Sequence, residues 1–457
     1  MDITIANICF GASDHDGKVG YIPLGPLYIA SALEKKHYAV DFRDYLVGAQ
    51  TFAEPLHPDN LLSFLHNSGR ILGIGCTSGT LPFVLSSLAR LKEQYPEKFI
   101  ILGGIGPTGA AEEIMRHFPF IDIVVKGEGE NTMVEVMQRL ESGNGFKGVR
   151  GIVYREGREV CTAPARPLIK DLDSTGFPAY HLVSPHCYSI KGIASSRGCP
   201  FTCTFCDTAP FWNRRCRARS ATNVITEMIQ LKDIYGIQHF EFVDDTFVLN
   251  RDRVLAFCNQ LQKQHLDFRW TCCGRINLMD ETMMKIMAES GCEMVFYGME
   301  SGSDKILKRI QKEFTREQAL NVIAQSARYF NVYVSFIWGF PFEDITDFQD
   351  TIACTDFVSQ LGGTPWLFSL APLPLSPLYR EYVNQLVFSE DWCLNAAGAD
   401  REKMTGLIKN YPGVFSGFYR YPTVDFAGKY NIIKERGLMA HGTQTVFLDG
   451  LIVSKWE

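Results

Sequence analysis

The sequence predicts an α/β protein built from two parallel-stranded units in series, closed by a C-terminal cap. Two observations carry this. Short apolar runs alternate with segments of helical periodicity over residues 1–145, and the alternation resumes over residues 189–375. Between them, residues 146–188 are dense in prolines and turn formers, as a crossing between domains requires. At 457 residues, 46% hydrophobic and 21% charged, the chain can bury more than one core.

The first unit opens on a strand-like run, ITIANICF (3–10), followed by the helical LGPLYIASALEKKH (24–37) and the strand-like AVDFRDY (39–45). ILGIGCTSGT (71–80), the helical LPFVLSSLARLKEQ (81–94) and FIILGG (99–104) repeat the pattern. AAEEIMRHF, IDIVVKGEGE and the amphipathic NTMVEVMQRLES complete it. Such alternation describes a doubly wound, Rossmann-like parallel sheet. In sheets of this kind ligands sit beyond the carboxyl ends of the strands. The loops there are Thr77-Ser78, Gly103-Gly104 and Gly127-Glu128, small or flexible enough to let a large ligand approach the backbone. Residues 146–188 hold a hairpin, GVRGIVYREGREV, and then the linker.

In the second unit, SIKGIASS (189–196) leads into a cysteine loop, after which HFEFVDDTF, FRWTCCGR, MVFYGMESGS, VYVSFIWGFPFED and TPWLFSLAPLP alternate with helices. Six strand–helix units are too few for a closed eightfold barrel, so a partial, TIM-like (β/α)6 barrel is expected, with its site at the strand carboxyl ends. Residues 376–457, rich in aromatics and without a repeat, are expected to cap it.

The most specific signal is Cys199, Cys203 and Cys206 in SSRGCPFTCTFCDTAP, spaced C-x3-C-x2-C. Three thiolates can hold three irons of a 4Fe–4S cluster and leave the fourth open to a small chelating molecule. A structural zinc site would need a fourth ligand, Cys216 or Asp207, from outside the motif. The fourteen cysteines, with nothing resembling a secretory leader, point to the cytoplasm rather than to disulfides. No apolar run reaches the length of a membrane span, and a net charge of −6 gives no field to gather nucleic acid, so neither partner is expected.

The motif and its surroundings resemble the radical S-adenosylmethionine (SAM) superfamily. Pro23-Leu24-Gly25, Gly103-Gly104 and Gly127-Glu128-Gly129-Glu130 resemble the class with a cobalamin-binding domain before the barrel. The resemblance implies a 4Fe–4S cluster on Cys199, Cys203 and Cys206, SAM, and cobalamin in the first domain. Thr77, Ser78, Gly103, Gly104, Gly127 and Glu128 would line the cobalamin site. D-x-H-x-x-G is absent, and GGIGPTGAAEE lacks the histidine relatives often carry after the double glycine, so a cofactor-free first domain stands as the alternative. For SAM the resemblance implies Phe205 beside the adenine, Arg275 on the methionine carboxylate, Glu300 and Ser301 on the ribose or methionine portion, and Ile337 and Gly339 at the adenine. Asp244, Asp245 and Cys216 are candidate catalytic residues, the acids for the SAM amino group or a substrate hydroxyl. The reading that competes for the paired acids is a strand-end turn in which Asp245 caps the next segment.

The implied activity is abstraction of hydrogen from an unactivated carbon of a small-molecule or peptide substrate, with methylation as the simplest outcome. It also implies a reductant such as flavodoxin or ferredoxin. Radical dehydration of a sugar diol, tRNA methylthiolation, and a non-catalytic metal-binding scaffold are the alternatives. The first domain holds only Cys9 and Cys76 and the tail is not basic, which sets methylthiolation aside.

Overall fold

The computed structural model describes residues 1–9, 17–52, 54–388 and 401–438. In the first half the strands are β1 (Ile3–Ile8), β2 (Val19–Tyr21), β3 (Val40–Asp44), β4 (Ile71–Cys76), β5 (Phe99–Gly103), β6 (Ile123–Val125), β7 (Ile152–Glu156) and β8 (Glu159–Thr162). All but β2 form one sheet in the order β3-β1-β4-β5-β6-β7-β8. The first five are parallel, as predicted; β7 and β8 run antiparallel. The hairpin predicted within the crossing is thus the edge of the first sheet, because Ile152 and Val153 are fully buried and need the flank of β6 to cover them. Helices clothe both faces, and Leu81–Gln94 buries Leu81, Val84, Leu85, Leu88 and Leu91 on one stripe. Strand order reverses between β1 and β4, the position at which such sheets open a crevice at their carboxyl ends.

The second half contains β9 (Tyr188–Ile190), β10 (Gly192–Ile193), β11 (Ser196–Arg197), β12 (Arg217–Ala218), β13 (His239–Phe242), β14 (Arg269–Gly274), β15 (Cys292–Glu300), β16 (Asn331–Trp338) and β17 (Thr364–Ser369). Six of them form an all-parallel sheet in sequential order, β10-β13-β14-β15-β16-β17, and among the described residues no pairing closes the ring. Ser220, Asn250, Asp280, Thr315 and Asp344 each cap the adjoining helix by accepting an amide of its first turn. These helices cover the outward face of the strands.

Several features join the halves, two of them in the backbone path. β2, too short to register in the periodicity, pairs in parallel with β9 through Val19–Tyr188 and Tyr21–Ile190. The tail spans both: Ile408 of helix Arg401–Asn410 enters the first core, and Ile433 of helix Phe426–Glu435 enters the barrel core. Residues 389–400 and 439–457 of the predicted cap lie outside the described residues.

Candidate active site

The cysteine loop leaves β11 at Gly198, whose φ of +97° and contact with the Arg215 carbonyl exclude a side chain. Two acids at the end of β13 hold its entry. Asp244 accepts the Ser195 and Ser196 amides at 2.7 and 3.0 Å and their hydroxyls at 2.5 and 2.7 Å, with Arg253 at 3.6 Å. Both of its oxygens are committed within the protein, so as placed it anchors the loop rather than facing a ligand. Asp245 accepts the Gly198 amide at 2.9 Å instead of capping the next segment, and burial pushes its carboxyl up to about 6.

The three thiols are unpaired and half-buried. Thr246 Oγ1 lies 3.7 Å from Cys199 Sγ, and Arg275 Nη1 lies 3.7 Å from Cys203 Sγ. The Arg275 guanidinium stacks on Phe201 at 3.5 Å and donates to the Lys312 carbonyl at 2.7 Å and to Asn277 at 2.9 Å. A fixed cation therefore stands beside the thiols, where it would offset thiolate charge. Among the described residues no three His, Cys, Asp or Glu side chains converge tightly enough for one metal ion. Thr204 Oγ1, within the loop, is buried without a partner. Cys216 sits against Ser196 and Asp244, and burial followed by the Asp244 charge pushes its thiol up to about 11. It is a thiol, not a nucleophile, at neutral pH.

The residues expected on the SAM side lie at the ends of the next strands. A bulge between Gly298 and Glu300 places Glu300 at φ +73°, where its carboxylate meets Lys312 Nζ at 3.3 Å and Ser335 Oγ at 3.2 Å. Ser301 is fully buried against Thr351 at 3.1 Å and accepts the Ser303 amide, so it braces the turn. Phe205 packs edge-on to Phe340 and beneath Lys312, in one apolar cluster with Ile337. Gly339, at φ +94°, has open space at its Cβ position and donates its amide to Glu343 at 3.0 Å. Glu343 in turn pairs with Lys429 at 2.9 Å, both fully buried, which ties the tail helix to this turn.

The first-domain loops face the same region: Gly109 packs beside Pro374, and Gly417 beside Ser78. Thr77 turns inward onto Thr80, amide to Oγ1 at 3.1 Å, while Ser78 stays half-exposed. A Cβ on Gly104 would stand 2.8 Å from the Cys76 carbonyl, so that glycine serves loop packing; Gly103 has only an ordinary contact with Val125. Gly127, at φ +77°, has nothing within 4 Å of its Cβ position. These small residues leave the approachable backbone that a corrin needs, and none of them offers it an axial ligand.

Glu128 is placed differently from the expectation of a cofactor contact. It accepts Arg197 and Arg217 at 2.8 Å each and the Ile169 amide at 2.8 Å, while Glu130 takes Arg197 at 2.7 Å. The carboxylate is spent on locking the first domain to the cysteine loop. Sequence reasoning missed Tyr21, Glu241, Lys312, Glu343 and Lys429. Only Glu241 left a trace, as the polar residue in the alternation Phe240-Glu241-Phe242.

Comparison with known proteins finds matches in both halves. The family model described as "Radical SAM superfamily" matches residues 193–354, and that of the "B12 binding domain" matches residues 18–137. An uncharacterized methyltransferase, PH0819, of Pyrococcus horikoshii is 33% identical over 386 residues, covering 81% of this chain and 80% of its own. The cytidylyl-2-hydroxyethylphosphonate methyltransferase of Streptomyces wedmorensis is 27% identical over 469 residues, covering 90% and 85%. Among solved structures, the radical SAM methyltransferase TsrM from Kitasatospora setae, with cobalamin and a [4Fe-4S] cluster bound, superposes with a TM-score of 0.66 at 17% identity, over 84% of this chain and 78% of that one. It shares the fold. Among the described residues no helix is long and apolar enough to cross a membrane.

Proposed function

The chain belongs to the radical SAM superfamily, in the class of enzymes with a B12-binding domain and methyltransferase relatives, and on that premise we propose that it methylates an unactivated carbon of a small molecule. The observation that carries the reading is the seam at Glu128. It ties the Gly127-Glu128 loop of the B12-binding domain to Arg197, two residues before Cys199, which supports a reading in which both cofactors act on one substrate.

When bound, the cluster and SAM supply a 5′-deoxyadenosyl radical and cobalamin supplies a methyl group. Cys199, Cys203 and Cys206 would hold the cluster, with Asp244 and Asp245 setting the loop's entry and Arg275 countering the charge beside Cys203. Glu300, held by Lys312 and Ser335, presents a carboxylate of fixed orientation at the barrel mouth for the polar groups of SAM. Phe205, Ile337 and Phe340 form the apolar shelf beside it, which excludes water from the reacting carbon. Ser78, Gly103 and Gly127 line the opposite wall, on the corrin side. An external one-electron donor of the flavodoxin or ferredoxin type completes the cycle. The methyltransferase names among the relatives favour methylation over radical dehydration.

The test is anaerobic. Protein reconstituted with iron, sulfide and hydroxocobalamin is given a low-potential reductant and methyl-labelled SAM. Formation of both 5′-deoxyadenosine and S-adenosylhomocysteine is expected, because one SAM is cleaved and another demethylated. Intact clustered protein that yields neither overturns the proposal, and 5′-deoxyadenosine without demethylation restores the dehydration reading.

A further inference from the structure

The inward face of the barrel differs from its outward face. On β14, β15 and β16 the outward residues Trp270, Cys272, Val295, Tyr297, Val332 and Val334 are 0–4% exposed and packed under helices. Their inward neighbours Thr271, Cys273, Met294, Phe296, Tyr333 and Ile337 are only half-buried, as are Trp366 and Phe368 on β17. Side chains that plug a barrel are the most buried in it. Here the inward set is less buried than the outward one, as residues lining a lumen would be.

The lumen has two chemically distinct sides. On β15 to β17, Phe296 and Tyr333 meet Trp366 at 5.7 and 5.3 Å between ring centroids, and Phe368 meets it at 6.2 Å, a continuous aromatic wall. On β13, Glu241 points inward, three residues and so about 10 Å below the aspartates at the strand end. Its hydrogen-bond partner is Tyr21 of β2, at 2.9 Å, and among the described residues no cation pairs with it. Burial pushes its carboxyl up to about 7. Thr271, opposite Glu241 in register, has a buried Oγ1 without a partner. A half-buried carboxylate partnered by the Tyr21 phenol and a buried hydroxyl with no partner thus stand side by side on the inward face, where a ligand donor would satisfy them.

We propose that the lumen takes a substrate in which an aromatic ring carries an amine, the ring lying on the Phe296–Tyr333–Trp366–Phe368 wall and the nitrogen donating to Glu241 and Thr271. This rests on the methyltransferase reading above and names its substrate class. Aromatic faces reward a flat ring and tolerate a nearby cation, and the Glu241 carboxylate selects against anions.

Calorimetric titration of the anaerobic holoenzyme with 2-phenylethylamine, phenylacetate and hexylamine tests it. Phenylethylamine is expected to bind at least tenfold more tightly than either of the others. Glu241→Gln should erase the preference for amine over acid, and Trp366→Ala the preference for phenylethylamine over hexylamine. Iron content and melting curves check that each variant is folded; if Glu241→Gln fails this, Tyr21→Phe replaces it and should alter the amine preference at least threefold. Equal binding of the three probes, tighter binding of phenylacetate, no binding of any, or an unchanged preference in the folded Glu241 or Tyr21 variant overturns the assignment. Product formation from SAM is measured separately, so a holoenzyme that binds phenylethylamine but neither cleaves nor demethylates SAM sinks the methyltransferase reading and spares this one.

Discussion

The two parallel sheets are written in the same strand–helix pattern and differ in what their second face meets. In the first, helices cover both faces, and the central strands read as unbroken burial: Ile3, Thr4, Ala6 and Ile8 on β1 and Ile100 and Leu102 on β5 are fully enclosed. In the second, burial alternates along β13, β14 and much of β15 and β16, because only the outer face has helices. Side chains of the first sheet therefore contribute mainly to stability, and the inward side chains of the second are less enclosed. Doubly covered parallel strands are near-continuously apolar; a half-open barrel must alternate.

That contrast can be broken at several points. The largest effect is expected from Cys203→Ala, which removes one of three thiols from the loop. SAM-derived products should fall at least about a thousandfold, about 4 kcal/mol in activation terms, with the first sheet intact by circular dichroism. Retained iron and turnover would refute the cluster assignment.

Next is Glu128→Gln, which leaves Arg197 and Arg217 short of a carboxylate at a site only 5% exposed. Loss of one partner in a buried ion pair costs about 3 kcal/mol. Urea unfolding should shift accordingly and separate into two transitions as the halves uncouple. A single transition at the wild-type midpoint would mean that the seam is held elsewhere.

A matched pair sharpens the comparison directly. Leu102→Ala, in the first sheet, should cost about 3 kcal/mol of stability and leave the specific activity of the folded enzyme unchanged. Phe368→Ala, on the lumen wall, should cost about 1 kcal/mol because its site is already half-open, while turnover falls more than tenfold. The reverse ordering would show the lumen to be a packed core. The smallest effect is Gly127→Ala, in which a left-handed φ costs about 1 kcal/mol. Its visible consequence should be weaker retention of the corrin absorbance on gel filtration.

Much of this was legible in the sequence because periodicity is local. The helix ends at 81–94 and 345–360, the five parallel strands of the first sheet and the six of the second come from spacing alone. Pairing was not legible. Glu128 looked like a ligand contact because it ends a strand, yet its partners lie 69 and 89 residues away, a separation that no window of pattern detects. Lys429 and Glu343, 86 residues apart, were hidden in the same way, within a tail whose aromatics keep to no period. Asp244 and Asp245 were found by position, but whether a strand-end acid faces a ligand or its own loop depends on the amides of Ser195, Ser196 and Gly198.

The short β2–β9 ladder has a bearing on engineering. A barrel excised at residue 189 would lose, along with its neighbour, both the strand that flanks its entry and the phenol that steadies Glu241. Chimeras that graft a foreign front half onto this catalytic portion must carry Val19 to Tyr21 with the graft, since those three residues, although early in the chain, belong by bonding to its rear.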